Sequence, residues 1–440
     1  MLKNRPVTHK KYWLETYGCQ MNTAESNALE MVLQASGIMA ASCAEEADCV
    51  ILNTCSVRKT AENRIWGRIG FFQHLKDHHP LTLIITGCMA ERLGDAFTKE
   101  APAVDYVMGT NDKQRIAALL CGASIDGHDM EYSFTESYYK EGEIKSFVPI
   151  MNGCNNFCSY CIVPYVRGRE LSRSPQSIYD EVARLEEHGV REITLLGQNV
   201  NSYHYESQGS IIRYPDLLAS IAARLKHIRW IRFESPHPKD FSPELIEVIA
   251  SEDRVAKHLH IPMQSGSSHI LSLMNRRYTR EQFIGLIQKL RDTCPDLTFT
   301  TDVMVGFPGE SETDFLDTLS AIQQLRFIEA FMYYYNPREG TRATSLPDQI
   351  ESSIRIKRLQ ELIAIQREIT VEEKSKRCCG MVEVLLESLS KRNELEYLAR
   401  TEHDEMVVFT PLTGCGVGDI VPVQLTGLSG NTYTAVPVAR

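Results

Sequence analysis

The chain has 440 residues, 43% of them hydrophobic and 24% charged, the balance of a globular protein too long for one ordinary core. A net charge of −10 excludes a chain that coats nucleic acid nonspecifically, although a local basic groove stays open. No apolar run reaches the ~18 residues that a membrane span needs, and the basic N-terminus lacks the apolar core of a secretory signal. A cytoplasmic protein without a membrane partner is therefore expected, and in that reducing compartment thirteen cysteines are not a disulfide framework.

The first 120 or so residues alternate strand-like and helix-like stretches. "YWLETYG" (12–18), "DCVILNT" (48–54), "LTLIITG" (81–87) and "VDYVMGTND" (104–112) read as strands. Between them lie helical patterns at 22–37, capped by Asn22 or Thr23, at 57–79 and at 90–100. This predicts a doubly wound parallel sheet. Cys19, Cys55 and Cys88 each end one of its strands. In a parallel sheet those turns share the carboxyl edge, where ligands bind. One cysteine there would mean little, but three in the same structural position point to a three-thiolate site.

From about 145 to 345 a strand–helix pattern repeats six times. Strands are predicted at 146–153, 191–198, 230–235, 257–264, 297–309 and 329–335, with helices at 174–189, 214–227, 279–294 and 311–325. Six units predict a partial, open (βα)6 barrel of the TIM type. Residues 351–377 form a long charged helix. After it the period changes to two, and five short strands predict a small OB-like β-barrel.

The loop after the first barrel strand reads "CNNFCSYC", with Cys154, Cys158 and Cys161 spaced C-x3-C-x2-C. A zinc knuckle would need a fourth ligand, and the loop has none. Iron–sulfur cubanes normally take four thiolates, so three leave one iron open to substrate or cofactor. S-adenosylmethionine (SAM) suits that position, because its amino and carboxylate groups can chelate the open iron. One electron then breaks its S–C5′ bond to give a 5′-deoxyadenosyl radical. Gly197, Gln198 and Asn199, after the second barrel strand, and Glu234 and Ser235, after the third, stand at the same edge as candidate SAM contacts. Asn199 and Ser235 read equally well as helix caps. Arg167, Arg169 and Arg173 read either as contacts to SAM or to a phosphate or as a solvated loop face. "NRRYTR" (275–280) and "KSKR" (374–377) are further phosphate candidates.

"CNNFCSYCIVPYVRGRE" resembles the cluster loop of the radical-SAM methylthiotransferases. "GCQMN", "NTCSVR" and "TGCMAER" resemble the three-cysteine N-terminal domain of that family, and the terminal barrel resembles its TRAM domain. The resemblance implies an N-terminal methylthiotransferase domain over 10–125, a radical-SAM core over 140–373 and an RNA-binding TRAM domain over 374–440. It implies two [4Fe–4S] clusters, one on Cys154, Cys158 and Cys161 and an auxiliary one on Cys19, Cys55 and Cys88 that carries the sulfur. One SAM would methylate that sulfur, and a second would supply the radical that removes hydrogen from carbon 2 of an adenine. The flanking motifs resemble the branch acting on isopentenylated adenosine-37 in the tRNA anticodon loop. An electron donor such as flavodoxin or ferredoxin and a monomeric state are expected with it. An apolar slot for the isopentenyl group is sought among Phe307, Met332 and Tyr334, which read equally well as core, and the barrel is expected to grip tRNA and leave SAM cleavage untouched. Other possibilities are the same chemistry on threonylcarbamoyl-adenosine or on a ribosomal-protein aspartate. From another class comes a two-cluster electron carrier with an RNA-binding module.

Overall fold

The computed structural model describes residues 10–56, 59–123, 132–134, 139 and 141–438; Val57 and Arg58 of "NTCSVR" and the basic N-terminus lie outside them. The chain divides into two compact units. The first comprises residues 1–140, 147–155 and 162–173, and the second comprises 141–146, 156–161 and 174–440.

The first unit is built on five parallel strands, β1 (Lys11–Thr16), β2 (Met39–Ala40), β3 (Cys49–Thr54), β4 (Thr82–Gly87) and β5 (Tyr106–Met108), in the order β2-β1-β3-β4-β5. Its central strands β3 and β4 are buried along almost their whole length. This is why "CVILNT" and "TLIITG" are nearly continuous apolar runs, as strands covered on both faces require. Helix α1 (Gln20–Ala35) and helix α2 (Lys59–Lys76) follow β1 and β3. The helical stretch predicted at 90–100 is two short helices, α3 (Cys88–Leu93) and α4 (Asp95–Glu100), divided at Gly94. Helix α1 begins earlier than the Asn22 or Thr23 cap implied: Cys19 occupies the cap position, and Asn22 is fully buried.

In the second unit, strands Glu192–Leu196 and Trp230–Phe233 pair in parallel, and His258–His260, Thr298–Val305 and Glu329–Tyr334 form a three-stranded parallel sheet. The predicted helices are present as Pro175–Glu187, Tyr214–Arg224, Arg280–Thr293 and Glu312–Leu325. An antiparallel hairpin, His204–Ser207 with Ser210–Arg213, is an addition the periodicity did not signal. The 26-residue helix Ser352–Arg377 leads into a closed five-stranded β-barrel running from Met381 to Pro437.

This barrel sits against the amino ends of the core strands. Trp230, Ala256 and Leu385 form one buried apolar cluster with Ile144 and Ile420 packed on it. Arg232 donates to the carbonyls of Glu402 (2.7 Å) and Thr401 (2.9 Å) and pairs with Glu192 at 2.9 Å. Lys145 bridges Glu192 and Glu387, and His403 Nε2 donates to Asp296 O at 3.0 Å. The opposite, carboxyl ends of the strands stay clear of these contacts and carry the polar turns.

Candidate functional site

Cys19 stands at the N-cap of α1, Cys55 directly after β3, and Cys88 at the first residue of α3 after β4. Two glycines let these turns close on one another. At Gly18, with φ +127°, a Cβ would lie 2.4 Å from Cys55 Cβ and 2.9 Å from its Sγ. At Gly87, with φ +91°, it would lie 2.4 Å from Thr54 O. Any larger residue at either position would push the Cys55 turn away. Asn22 then ties the turns together: its Nδ2 donates to Tyr17 O (2.9 Å) and to Thr54 O (3.0 Å), and Asn53 Nδ2 donates back to Asn22 O (2.9 Å).

Beneath these turns lies a buried charge cluster. Arg167 Nη1 donates to Glu25 Oε1 (2.7 Å) and Asn152 Oδ1 (3.0 Å), and its Nη2 donates to Asn22 Oδ1 (3.0 Å) and Glu25 Oε2 (3.1 Å). Lys113 pairs with the same Glu25 carboxylate. Burial alone would raise the Glu25 carboxyl, but the two cations outweigh it and hold it down at about 2. Burial pushes the Cys88 thiol up, and the Arg167 and Lys113 charges pull it back. Arg167 is thus neither a solvated loop residue nor exposed to a phosphate. Arg173 is buried too and donates to Pro149 O, while Arg169 is exposed.

Cys154 belongs to the first unit, where its N–H donates to Gly168 O at 3.1 Å. Cys158 and Cys161 belong to the second. There Asn275 Nδ2 donates to the carbonyls of Asn156 (3.1 Å) and Phe157 (3.0 Å), and Phe157 takes φ +49°. Ser159 is held by Leu273 O and Met274 O. The buried Arg276 directs Nη1 at Cys158 Sγ, 3.5 Å away. Of the "NRRYTR" run, Arg276 and Arg280 are therefore committed inside the protein, with Arg280 bound to Asp317 and Gly266 O. In "KSKR", Lys374 holds Glu329 and Arg377 holds Glu405.

Gly197 and Gln198 are half-buried in the turn after Glu192–Leu196. Asn199 does not cap through its side chain: its Nδ2 donates to Asp240 (2.9 Å), and its Oδ1 is buried without a partner among the described residues. Glu234 is half-buried, and Ser235 is exposed at φ +60° with no helix starting there. His237, unremarked in the sequence, is buried beside them. Its Nδ1 accepts from Lys239 N, which leaves the proton on Nε2, and Nε2 has no partner among the described residues. Burial, followed by the nearby Arg276 charge, drives its pKa down to about 2, so the ring is neutral. The "ESPHP" run between a strand end and a short helix was the one signal that could have drawn attention to it.

The strand Glu329–Tyr334 settles which aromatics face the open side. Its register pairs Met332 with Val303 and Tyr334 with Val305, both fully buried, whereas Phe331 faces Asp302 and Tyr333 faces Met304. Phe331 and Tyr333 are 49% and 36% exposed. Phe307 is fully buried against Tyr335 and Tyr160. A slot made of Phe307, Met332 and Tyr334 is thus not what this face presents. His260 and Asp302 form an ion pair at 3.4 Å on the same face as Phe331.

Among the described residues no three His, Cys, Asp or Glu side chains converge on a point that one metal ion would fill. A multi-iron cluster spreads its thiolates over several irons, and sets of three cysteines are the donor chemistry that it takes while leaving one iron open. The residues present fit such a group.

A partial (βα)6 barrel entered by a three-cysteine loop defines a radical-SAM protein, and residues 148–322 match the radical SAM superfamily. Residues 11–109 match the uncharacterized protein family UPF0004. Over 446 residues the chain is 45% identical to the tRNA-2-methylthio-N(6)-dimethylallyladenosine synthase of Treponema pallidum (strain Nichols), covering 96% of this chain and 98% of that protein. It is 43% identical over 437 residues to the synthase of the same name from Bacteroides fragilis (strain YCH46), covering 96% and 95%. The chain belongs to this family of tRNA-2-methylthio-N(6)-dimethylallyladenosine synthases. Among solved structures its fold is similar to the radical S-adenosylmethionine methyltransferase TsrM from Kitasatospora setae, with TM-score 0.57 and 14% identity over 76% of this chain and 77% of that one. It is also similar to the cobalamin-dependent radical enzyme OxsB, with TM-score 0.51 and 10% identity over 81% and 56%. No helix of the described residues is long and apolar enough to cross a membrane.

Proposed function

We propose that this chain methylthiolates carbon 2 of N6-isopentenyladenosine at position 37 of tRNA. The observation that carries the reading is the packing of the Cys19, Cys55 and Cys88 turns at one sheet edge, in a chain that also carries the radical-SAM cysteine loop. Cys154, Cys158 and Cys161 would hold one [4Fe–4S] cluster, and Cys19, Cys55 and Cys88 would hold the other. When bound, the clusters and SAM supply the methylthio group and a 5′-deoxyadenosyl radical, the route open to an aromatic C–H that no ordinary base can deprotonate.

The protein's own residues place and shield the reactants. Asn199 Oδ1 and the Nε2–H of His237 are a buried acceptor and donor without partners among the described residues, the groups a polar cofactor needs beside Gly197, Gln198, Glu234 and Ser235. Arg276 keeps a positive charge against Cys158. Phe331 and Tyr333 offer exposed rings on which an extruded adenine stacks. Burying the five-carbon isopentenyl group contributes about 4 kcal/mol at ~0.8 kcal/mol per carbon, a preference of several hundredfold over unmodified adenosine at roughly 1.4 kcal/mol per tenfold. A small electron-transfer protein such as flavodoxin or ferredoxin delivers the electron, and the enzyme works as a monomer in the cytoplasm.

The test is anaerobic reconstitution with iron and sulfide, followed by nucleoside mass spectrometry after incubation with isopentenylated, threonylcarbamoylated and unmodified tRNA. Methylthiolation confined to the isopentenylated substrate is the expected result. Equal rates on all three would overturn the substrate assignment. Failure to form 5′-deoxyadenosine would leave an electron carrier.

A further inference from the structure

Among the described residues the buried charges around Glu25 do not balance. Arg167 and Lys113, with side chains 2% and 8% exposed, share a single carboxylate. The nearby ion pairs do not absorb the excess. Arg92 is paired with Glu62, and Arg115 with Asp112. Tyr132, whose OH donates to Glu25 Oε1 at 3.4 Å, adds no negative charge, because burial and the Glu25 carboxylate push its ionisation far up. Among the described residues one surplus positive charge therefore sits in a desolvated pocket, which is strongly unfavourable unless an anion completes it.

The surplus faces the thiols. Arg167 Nη2 and Cys19 Sγ meet the same Asn22 Oδ1, at 3.0 and 4.0 Å, and Cys88 packs in one buried cluster with Val166, the residue before Arg167. An oxidised [4Fe–4S] core held by three thiolates carries one net negative charge, the charge that this pocket lacks. We propose that Arg167 and Lys113 are the charge-compensating residues of the cluster held by Cys19, Cys55 and Cys88, and that their shared surplus charge sets its reduction potential. This rests on the reading of those cysteines as cluster ligands. One-electron reduction makes the cluster more negative, so a neighbouring cation favours the reduced form and raises the midpoint potential. The two residues touch no substrate; Arg167 also acts as a positioning residue, because it hydrogen-bonds Asn22, which holds the Cys55 turn.

The experiment uses the full chain carrying Cys154→Ala, Cys158→Ala and Cys161→Ala, so that one cluster remains. The protein is reconstituted anaerobically with ferrous iron and sulfide, its iron is counted, and a potentiometric titration is followed by electron paramagnetic resonance. Arg167→Gln and Lys113→Met are expected to move the midpoint to more negative potential at unchanged iron content, and Arg167→Lys, which keeps the charge, to leave it near the parent. If Arg167→Gln loses the iron, retention by Arg167→Lys supports the inference, and loss by both overturns it in favour of a purely geometric role. A midpoint unmoved in both neutral variants, or moved as far by Arg167→Lys as by Arg167→Gln, also overturns it. If the parent takes up no iron at all, the cluster reading itself fails, and this inference goes with it.

Discussion

Arg232 Nη2 donates to Thr401 O across 2.9 Å, joining a core strand to the terminal barrel. The bond lies within a buried interface that also contains Trp230, Ala256 and Leu385. The barrel is thus packed as part of the core, not tethered to it.

Deletion of residues 378–440 is expected to leave Trp230 and the Arg232–Glu192 pair exposed, giving a protein that aggregates and fails to cleave SAM. Replacing Arg232 alone with Met leaves Glu192 to Lys145 alone and strands two carbonyls, at a cost of about 3 kcal/mol. Denaturant unfolding and soluble yield measure both. A soluble truncated chain with full SAM cleavage would restore the view of the barrel as a detachable tRNA grip.

Asn22→Ala removes the donor to Tyr17 O and Thr54 O and strips Arg167 of one acceptor. Unsatisfied buried groups of this kind cost about 1–3 kcal/mol each. The variant should fold with a lowered midpoint and bind roughly half the iron of the wild type, with 5′-deoxyadenosine formation kept and methylthiolation lost. Full iron content would show that Asn22 does not hold the Cys55 turn.

His403 sets an acid limit on the barrel junction. Burial first, and then the Arg377 charge, lowers its pKa to about 3 from 6.5. Its Nδ1 faces Arg377 Nη2 at 2.7 Å, and its Nε2 donates to Asp296 O, so the folded ring is neutral. Between those values the unfolded chain binds the extra proton. The stabilisation is complete above about 6.5 and is lost as pH falls toward 3. From pH 7 to pH 5 the loss is about 2 kcal/mol, and His403→Gln should flatten that slope. An unchanged slope in the variant would assign the acid sensitivity elsewhere.

Phe331→Ala is expected to raise the KM for isopentenylated tRNA about tenfold, since base–aromatic stacking is worth roughly 1–3 kcal/mol. SAM cleavage without tRNA should be unchanged. Tyr334→Ala, on the buried side of the same strand, should lower stability instead. If the two variants changed places, the register argument would be wrong.

The strand–helix period and the placement of Cys19, Cys55 and Cys88 at strand ends were legible because apolar runs mark buried parallel strands, and the turn after each is fixed by topology. The five barrel strands were legible from the change to period two. Arg167 was not, because a charged residue in a polar loop looks solvated until its partner is known, and Glu25 lies 142 residues away. Asn22 looked like a cap for the same reason: Thr54, the group that claims its amide, is 32 residues distant in sequence. Met332 and Tyr334 stayed open between slot and core because a strand rich in apolar and aromatic residues does not say which of its alternating faces is covered. Phe307 stayed open in the same way, because nothing local distinguishes a core ring from a pocket ring, and it is core.

The barrel lies at the amino ends of the strands, and the polar turns lie at their carboxyl ends. The eight-residue strand Thr298–Val305 separates these two ends of the second unit by about 26 Å, at ~3.3 Å per residue. A molecule that touches both must be at least that long. The height of the core thus acts as a ruler: a free nucleoside or a dinucleotide can reach one surface, but only a longer molecule, as a folded RNA is, can occupy both at once.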